Sequence, residues 1–244
     1  MAHSLNTWLN GALHFLYPEV CQLCKQERAG SDQGFVCEKC RRKVRFIEPP
    51  FCERCGLPYE GAITTEFECG QCQELDPWFS SARSAVQAKD PVLEIIHKYK
   101  YNRALWFETF LADLLIERAR PELAKEKWDV IVPVPLHPTK QREREFNQAE
   151  RLGAVLSRAT GIPVNARLLK RVVATKTQTL LNRADRLANV RRAFAMRDDT
   201  KLSGQQIVLV DDVLTTGATT SACAKVLRDA GAAKVCVWTV ARGA

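Results

Sequence analysis

The chain has 244 residues, 46% of them hydrophobic and 26% charged, with a formal net charge of +8. Those proportions suit a folded chain with one full core and a smaller module, and they exclude a disordered, collagenous or coiled-coil protein. No window approaches the ~20 apolar residues that a membrane span needs, so a transmembrane protein is excluded too.

At the front of the chain, residues 1–20, Leu5, Trp8, Leu9, Ala12, Leu13 and Leu16 follow the spacing of an amphipathic helix. The segment has no Lys or Arg, which argues for a helix docked on its own protein rather than on a membrane surface. Asn6, Asn10, Gly11 and His14 interrupt the apolar run, so it does not read as a signal peptide and the expected location is the cytoplasm.

Residues 21–75 are polar, turn-rich and punctuated by cysteine. Eight of the ten cysteines form four C-x-x-C pairs: Cys21/Cys24, Cys37/Cys40, Cys52/Cys55 and Cys69/Cys72. In a reducing compartment such a set binds metal rather than forming a disulfide framework. Two thiolates two residues apart can face one ion, and two such turns complete a tetrahedral four-sulfur zinc site. The two halves of the region resemble each other, as in a duplicated unit, which points to sequential pairing. One zinc would then sit on Cys21, Cys24, Cys37 and Cys40, and the other on Cys52, Cys55, Cys69 and Cys72. A cross-braced pairing of first with third is the alternative. All-cysteine ligation leaves no open position, so both zinc ions are expected to be structural. Thioredoxin-like redox chemistry would instead need one C-x-x-C on a βαβ framework.

Charge divides at the same boundary. Residues 1–79 carry 8 Lys and Arg against 11 Asp and Glu, leaving 28 against 17 for residues 80–244. The acidic front argues against phosphate binding by the cysteine module, and the basic remainder suggests an anionic partner, either a phosphorylated small molecule or nucleic acid.

After a connector at Gln73 to Ser81, residues 82–244 alternate helix and strand. Asp90-Pro91 starts a helix through Tyr101, and a second runs from Ala104 to Arg120. Asp129 to Pro135 reads as a buried strand, and Asn147 to Thr160 as a helix ending near Gly161. Ile207 to Val210 is a second buried strand, followed by a helix from Thr219 to Ala230 and a strand from Val235 to Val240. Short connections between such elements imply a parallel sheet. Cys223 and Cys236 fall on the helix and the last strand and read as buried packing residues.

The chemistry concentrates where the strand at 207 ends. Asp211 and Asp212 are followed by Thr215, Thr216, Gly217, Ala218 and Thr219, residues small enough for backbone N–H groups to converge on a phosphate at a helix N-terminus. Adjacent carboxylates repel phosphate but suit a sugar diol or a hydrated Mg²⁺. A sugar phosphate with vicinal hydroxyls is the ligand such an arrangement describes.

The stretch from Ile207 to Thr219 resembles the phosphoribosyl pyrophosphate (PRPP) signature of type I phosphoribosyltransferases. Val132-Pro-Val-Pro-Leu-His137, Arg142, Arg144 and Phe146-Asn-Gln148, then Thr177-Gln178, Arg186, Asn189-Val190 and Phe194, are similar to the ComF family. Glu145 and Arg192 stand where the family pattern has glycine. The resemblance spans nearly the whole chain. It implies an α/β fold, a type I phosphoribosyltransferase-like parallel sheet with helices on both faces, preceded by a small double zinc-ribbon domain.

The resemblance also implies a site. Asp211 and Asp212 would hold ribose and Mg²⁺, and Thr215 to Thr219 the 5′-phosphate. The loop Leu136 to Glu145, with His137, Lys140, Arg142 and Arg144, would grip pyrophosphate. The basic stretch 170–192, with Lys176, Arg183, Arg186 and Arg191, would close as a lid that excludes water. A groove for single-stranded DNA is the rival reading of that stretch, although it lacks an aromatic stacking platform before Phe194. Tyr99 and Tyr101 with Lys98, Lys100 and Arg103 offer an aromatic and basic patch elsewhere, though tyrosines at that spacing are more often core.

For function, the resemblance implies a PRPP-binding protein of natural competence, handling incoming single-stranded DNA with proteins of the uptake machinery. The alternatives are a phosphoribosyltransferase with an unknown acceptor and a PRPP-sensing regulator. No residue stands out as a general base.

Overall fold

The computed structural model describes residues 19–59, 61, 67–173, 192–198 and 200–243. The helix expected at the front lies almost wholly outside the described residues, as do Lys176, Arg183, Arg186 and Arg191 of the expected lid.

A parallel sheet forms the centre. Its strands are β1 (Ser81–Gln87), β2 (Val130–Pro133), β5 (Gln206–Leu214) and β6 (Lys234–Arg242), in the spatial order β1-β6-β5-β2. Every neighbouring pair is parallel. A separate antiparallel pair joins β3 (Leu169–Arg171) to β4 (Phe194–Met196). Strand residues alternate between two faces, and the two cores follow that alternation. Val208, Val210, Cys236, Trp238 and Val240 pack with α3 (Val92–Tyr101), α4 (Glu108–Leu123) and α6 (Gln148–Thr160). Ile207, Leu209, Val235 and Val237 pack with α7 (Ala218–Asp229) and the β3–β4 pair. A sheet covered by helices on both faces matches the expected architecture, and Cys223 and Cys236 are buried in it as packing residues.

Several boundaries differ from the sequence reading, each for a local reason. The helix after Tyr101 begins as a 3-10 turn at Leu105–Phe107 and runs on to Leu123, past Pro121. The strand carrying Asp211 and Asp212 does not stop at Val210, because pairing with β6 continues to Leu214.

The largest correction concerns Leu136 to Glu145, read as an open loop. It contains α5 (Pro138–Arg144), with Pro138 in the first turn, where a missing N–H costs nothing. His137 is its N-cap, its Nδ1 accepting from the Thr139 amide at 3.3 Å. Glu145 ends the helix in the left-handed region at φ 66, the conformation that glycine adopts most easily, and its carboxylate pairs with Arg103 at 2.9 Å. That accounts for the glycine in the family pattern at this position. Asn147 caps α6 by accepting from the Ala149 amide at 3.0 Å while donating to the Val134 carbonyl at 3.1 Å, so it ties the helix to the end of β2.

The cysteine module contains two short helices, α1 (Glu38–Arg41) and α2 (Gly70–Leu75). Its two halves lean on different parts of the sheet domain. Cys21, Val36, Cys37 and Cys40 join the core around Phe110 of α4, and Arg41 pairs with Glu117 at 2.8 Å. Gly34 approaches α4 so closely that a Cβ there would stand 2.6 Å from the Phe110 nitrogen. The second half packs on β1 instead, with the Ala82 amide donating to the Arg54 carbonyl at 2.7 Å.

Candidate zinc sites and phosphoribosyl site

The eight cysteine sulfurs gather in two sets, Cys21, Cys24, Cys37 and Cys40, and Cys52, Cys55, Cys69 and Cys72, with all sulfurs of a set within 4.8 Å of one another. This is the sequential pairing. Sulfur separations are 3.8 Å for Cys21 and Cys40 and 3.7 Å for Cys24 and Cys37 in the first set. In the second they are 3.9 Å for Cys52 and Cys72 and 3.6 Å for Cys55 and Cys69. Four sulfurs at the Zn–S distance in a tetrahedron stand about 3.8 Å apart, so both sets fit zinc. Backbone amides reinforce the ligands: those of Cys37 and Cys69 donate to the sulfurs of Cys21 and Cys52 at 3.4 and 3.3 Å.

At the other site, alternation along β5 sends its two carboxylates to opposite faces. Asp212 points to the α3 side, is buried, and pairs with Lys100 at 2.6 Å. Asp211 lies on the α7 side, near enough to Arg171 and Cys223 to act on their ionisation. Its Oδ1 accepts from the Asp212 amide at 2.9 Å. Burial and the neighbouring Asp212 charge push the Asp211 carboxyl up to about 8, against the pull of Lys100.

The raised value has a consequence for stability. Native Asp211 keeps a proton that the unfolded chain releases above its ordinary value near 4, so this group's contribution to stability falls as pH rises from 4 to 8. Asp211→Asn is therefore expected to stabilise the ligand-free protein at pH 8, by on the order of 1 kcal/mol after solvent screening, and to lose that advantage towards pH 4. Thermal melts across that range check it. An unchanged difference would mean that Asp211 is ionised throughout.

Beyond Leu214 the chain turns through Thr215 and Thr216, both exposed, to Gly217, the N-cap of α7 at φ 78. The Thr216 hydroxyl oxygen accepts from the Ala218 amide at 3.4 Å. The loop thus presents small side chains at the start of a 12-residue helix, whose dipole favours an anion. Ala218 and Thr219 form the first turn of that helix.

Of the residues expected to hold pyrophosphate, Lys140 lies close to Arg144, Arg171 and Lys100. Desolvation, with Arg171 and Arg144 nearby, lowers the pKa of Lys140, and Lys100 adds to the effect. Arg142 is exposed, and His137 is committed to capping. Two contributors escaped the sequence reading of the site, Lys100 as the partner of Asp212 and Arg171 beside Asp211. Both lie in basic runs visible in the sequence, but only the packing of α3 and β3 brings them to β5.

Residues 12–73 match the double zinc ribbon domain family. Over 228 residues, 92% of this chain and 97% of the relative, the sequence is 33% identical to the DNA utilization protein YhgH of Salmonella typhimurium. It is 31% identical to competence protein F of Haemophilus influenzae over 223 residues, 86% of this chain and 97% of that one. The chain belongs to the ComF family. Among solved structures, this ComF chain is similar to an adenine phosphoribosyltransferase at 14% identity and a TM-score of 0.38, covering 72% of this chain and 90% of the other. As in the sequence reading, no helix among the described residues is long and apolar enough to cross a membrane.

Proposed function

We propose that this ComF protein binds PRPP with Mg²⁺ at residues 211–219 and serves the handling of incoming single-stranded DNA, a reading supported by relatives named competence protein F and DNA utilization protein. One observation carries the ligand reading. A paired strand delivers Asp211 and Asp212 into an exposed Thr-Thr turn at a helix N-terminus, beside Lys100, Lys140, Arg144 and Arg171. Carboxylates for a diol, backbone N–H groups for a monophosphate and a cation cluster for a diphosphate are the three recognition elements PRPP requires. Mg²⁺, when bound with the ligand, would offset charge between the diphosphate and the carboxylates.

The protein's own residues would act by placement. Asp211 and Asp212 would accept hydrogen bonds from the ribose hydroxyls once the end of β5 shifts to bring both carboxylates to one side, Thr215 to Thr219 would orient the 5′-phosphate, and Lys140 and Arg144 would neutralise the diphosphate. If transfer to a nitrogen acceptor occurs, positioning and electrostatic stabilisation of the leaving diphosphate supply the acceleration. Amide hydrogen exchange with and without PRPP and Mg²⁺ tests the reading. Slower exchange at 211–219 is expected, and unchanged exchange there with protection elsewhere would move the site.

The DNA part of the reading draws on Tyr101. Tyr101 is 61% exposed, with the Arg144 guanidinium 4.9 Å from its ring centroid and the His97 ring tilted against it at 4.8 Å, whereas Tyr99 two residues back is core. An exposed aromatic among cations is a stacking platform for a base. Affinity for a single-stranded oligonucleotide is expected to fall steeply with added salt. Tyr101→Ala should lower it about tenfold. Filter binding at several salt concentrations reads both, and salt-insensitive binding would remove the basic residues as its source.

A further inference from the structure

Arg242, the last residue of β6, is a buried arginine that links the second cysteine set to the phosphate loop. It is 3% exposed. One terminal nitrogen donates to the carbonyl oxygens of Leu214 at 3.2 Å, Thr215 at 2.5 Å and Gly243. The other reaches the Cys55 sulfur and the Gln71 side-chain oxygen, both at 3.5 Å, while Nε donates to the Cys55 carbonyl at 3.3 Å. Its partners among the described residues are thus oxygen dipoles and one sulfur. The counter-charge for this buried cation is the thiolate set, which with one zinc carries a net negative charge.

The geometry sets the loop's outward face. In a planar trans peptide the C=O and the following N–H point in opposite directions. Holding the Leu214 and Thr215 carbonyls inward therefore turns the Thr215 and Thr216 amides outward, on the side where both side chains are exposed. A second contact agrees. Leu75 of α2, the helix that carries Gln71 and Cys72, and Phe79 of the connector back Gly217, at 3.7 and 3.6 Å from where its Cβ would be. The first cysteine set instead braces α4 through Phe110 and Glu117.

We propose that Arg242 is a positioning residue through which the second zinc site holds the phosphate loop ready for its ligand, so that loss of that zinc weakens phosphate binding at 215–219. The proposal rests on the phosphate reading of the loop, and its test separates the two. The probes are PRPP with Mg²⁺, and amide exchange at 214–218 in the ligand-free, zinc-loaded full chain. Arg242→Lys keeps the charge but loses the fork that reaches both sides. It is expected to retain two zinc ions and a cooperative melt lowered by several degrees, while exchange at 214–218 quickens and PRPP affinity drops about tenfold or more.

Coupling is reciprocal, so PRPP should raise the affinity of the second zinc site, read by chelator competition at equilibrium, in the wild type and not in Arg242→Lys. Should Arg242→Lys fail to fold, partial chelation of the wild type answers the same question. Exchange at 214–218 must then quicken in step with alkylation of Cys52 to Cys72 and not with that of Cys21 to Cys40. Exchange at 214–218 that ignores both the substitution and the second zinc overturns the proposal. Quickened exchange in a chain that binds no PRPP would leave the coupling standing and sink the ligand reading instead.

Discussion

Removing zinc is expected to unfold the cysteine module and to lower the melting temperature of the whole chain by more than about 10 °C. Among the described residues, the buried apolar cluster of the second half is Cys52, Cys55, Cys69 and Cys72 themselves, with Leu57 and Phe67 packed partly against them. Without metal that half has almost nothing to bury, and ligand–metal bonds supply its folding energy. The loss spreads, because Cys21, Cys37 and Cys40 belong to the same core as Phe110, Leu111 and Leu114 of α4. Replacing one ligand per set separates the effects. Cys40→Ser is expected to destabilise the α4 side strongly, and Cys69→Ser to disturb chiefly the β1 edge and the turn at 215–217. Elemental analysis should count two zinc ions per chain, and a count near one would contradict the two-site account.

Above pH 8, where Asp211 is ionised, the double substitution Asp211→Asn/Asp212→Asn is expected to cost at least about a hundredfold in PRPP affinity, since two charge-assisted hydrogen bonds and any Mg²⁺ contact are lost together. The side chains keep their size, so the fold should persist. Asp212→Asn also leaves Lys100, largely buried, without its 2.6 Å partner. Asp212→Asn alone is therefore expected to lower stability, whereas Asp211→Asn raises it at pH 8. Opposite effects on stability joined to a shared loss of binding would distinguish ligand contacts from a structural ion pair.

What the sequence revealed depended on how local the signal was. Four C-x-x-C pairs report their own pairing, because the partner knuckle is the next in the chain, and the apolar runs of β5 and β6 report a parallel core for the same reason. Helix ends were legible where a cap is a single residue type, as at Asn147 and Gly161. The stretch from 136 to 145 reads as a loop by its position in the type I resemblance, while His137 and Pro138 together encode a helix start. Arg242 gave no signal beyond an arginine after an apolar run. Its role depends on Cys55 and Gln71, far away in sequence and joined to it only by the docking of the cysteine module. Lys100 was visible as part of a basic patch, but its pairing with Asp212 requires α3 to lie across the end of β5.

The strand, turn and helix at 206–229 are proposed to form a working phosphoribosyl site. Titration of the zinc-loaded wild type with PRPP in a calorimeter, with and without Mg²⁺, tests it most directly. The account predicts saturable, Mg²⁺-dependent binding at one site per chain. Absence of heat and of binding under both conditions, with two zinc ions bound and the fold intact, would contradict it and leave the loop as scaffold for the cysteine module alone.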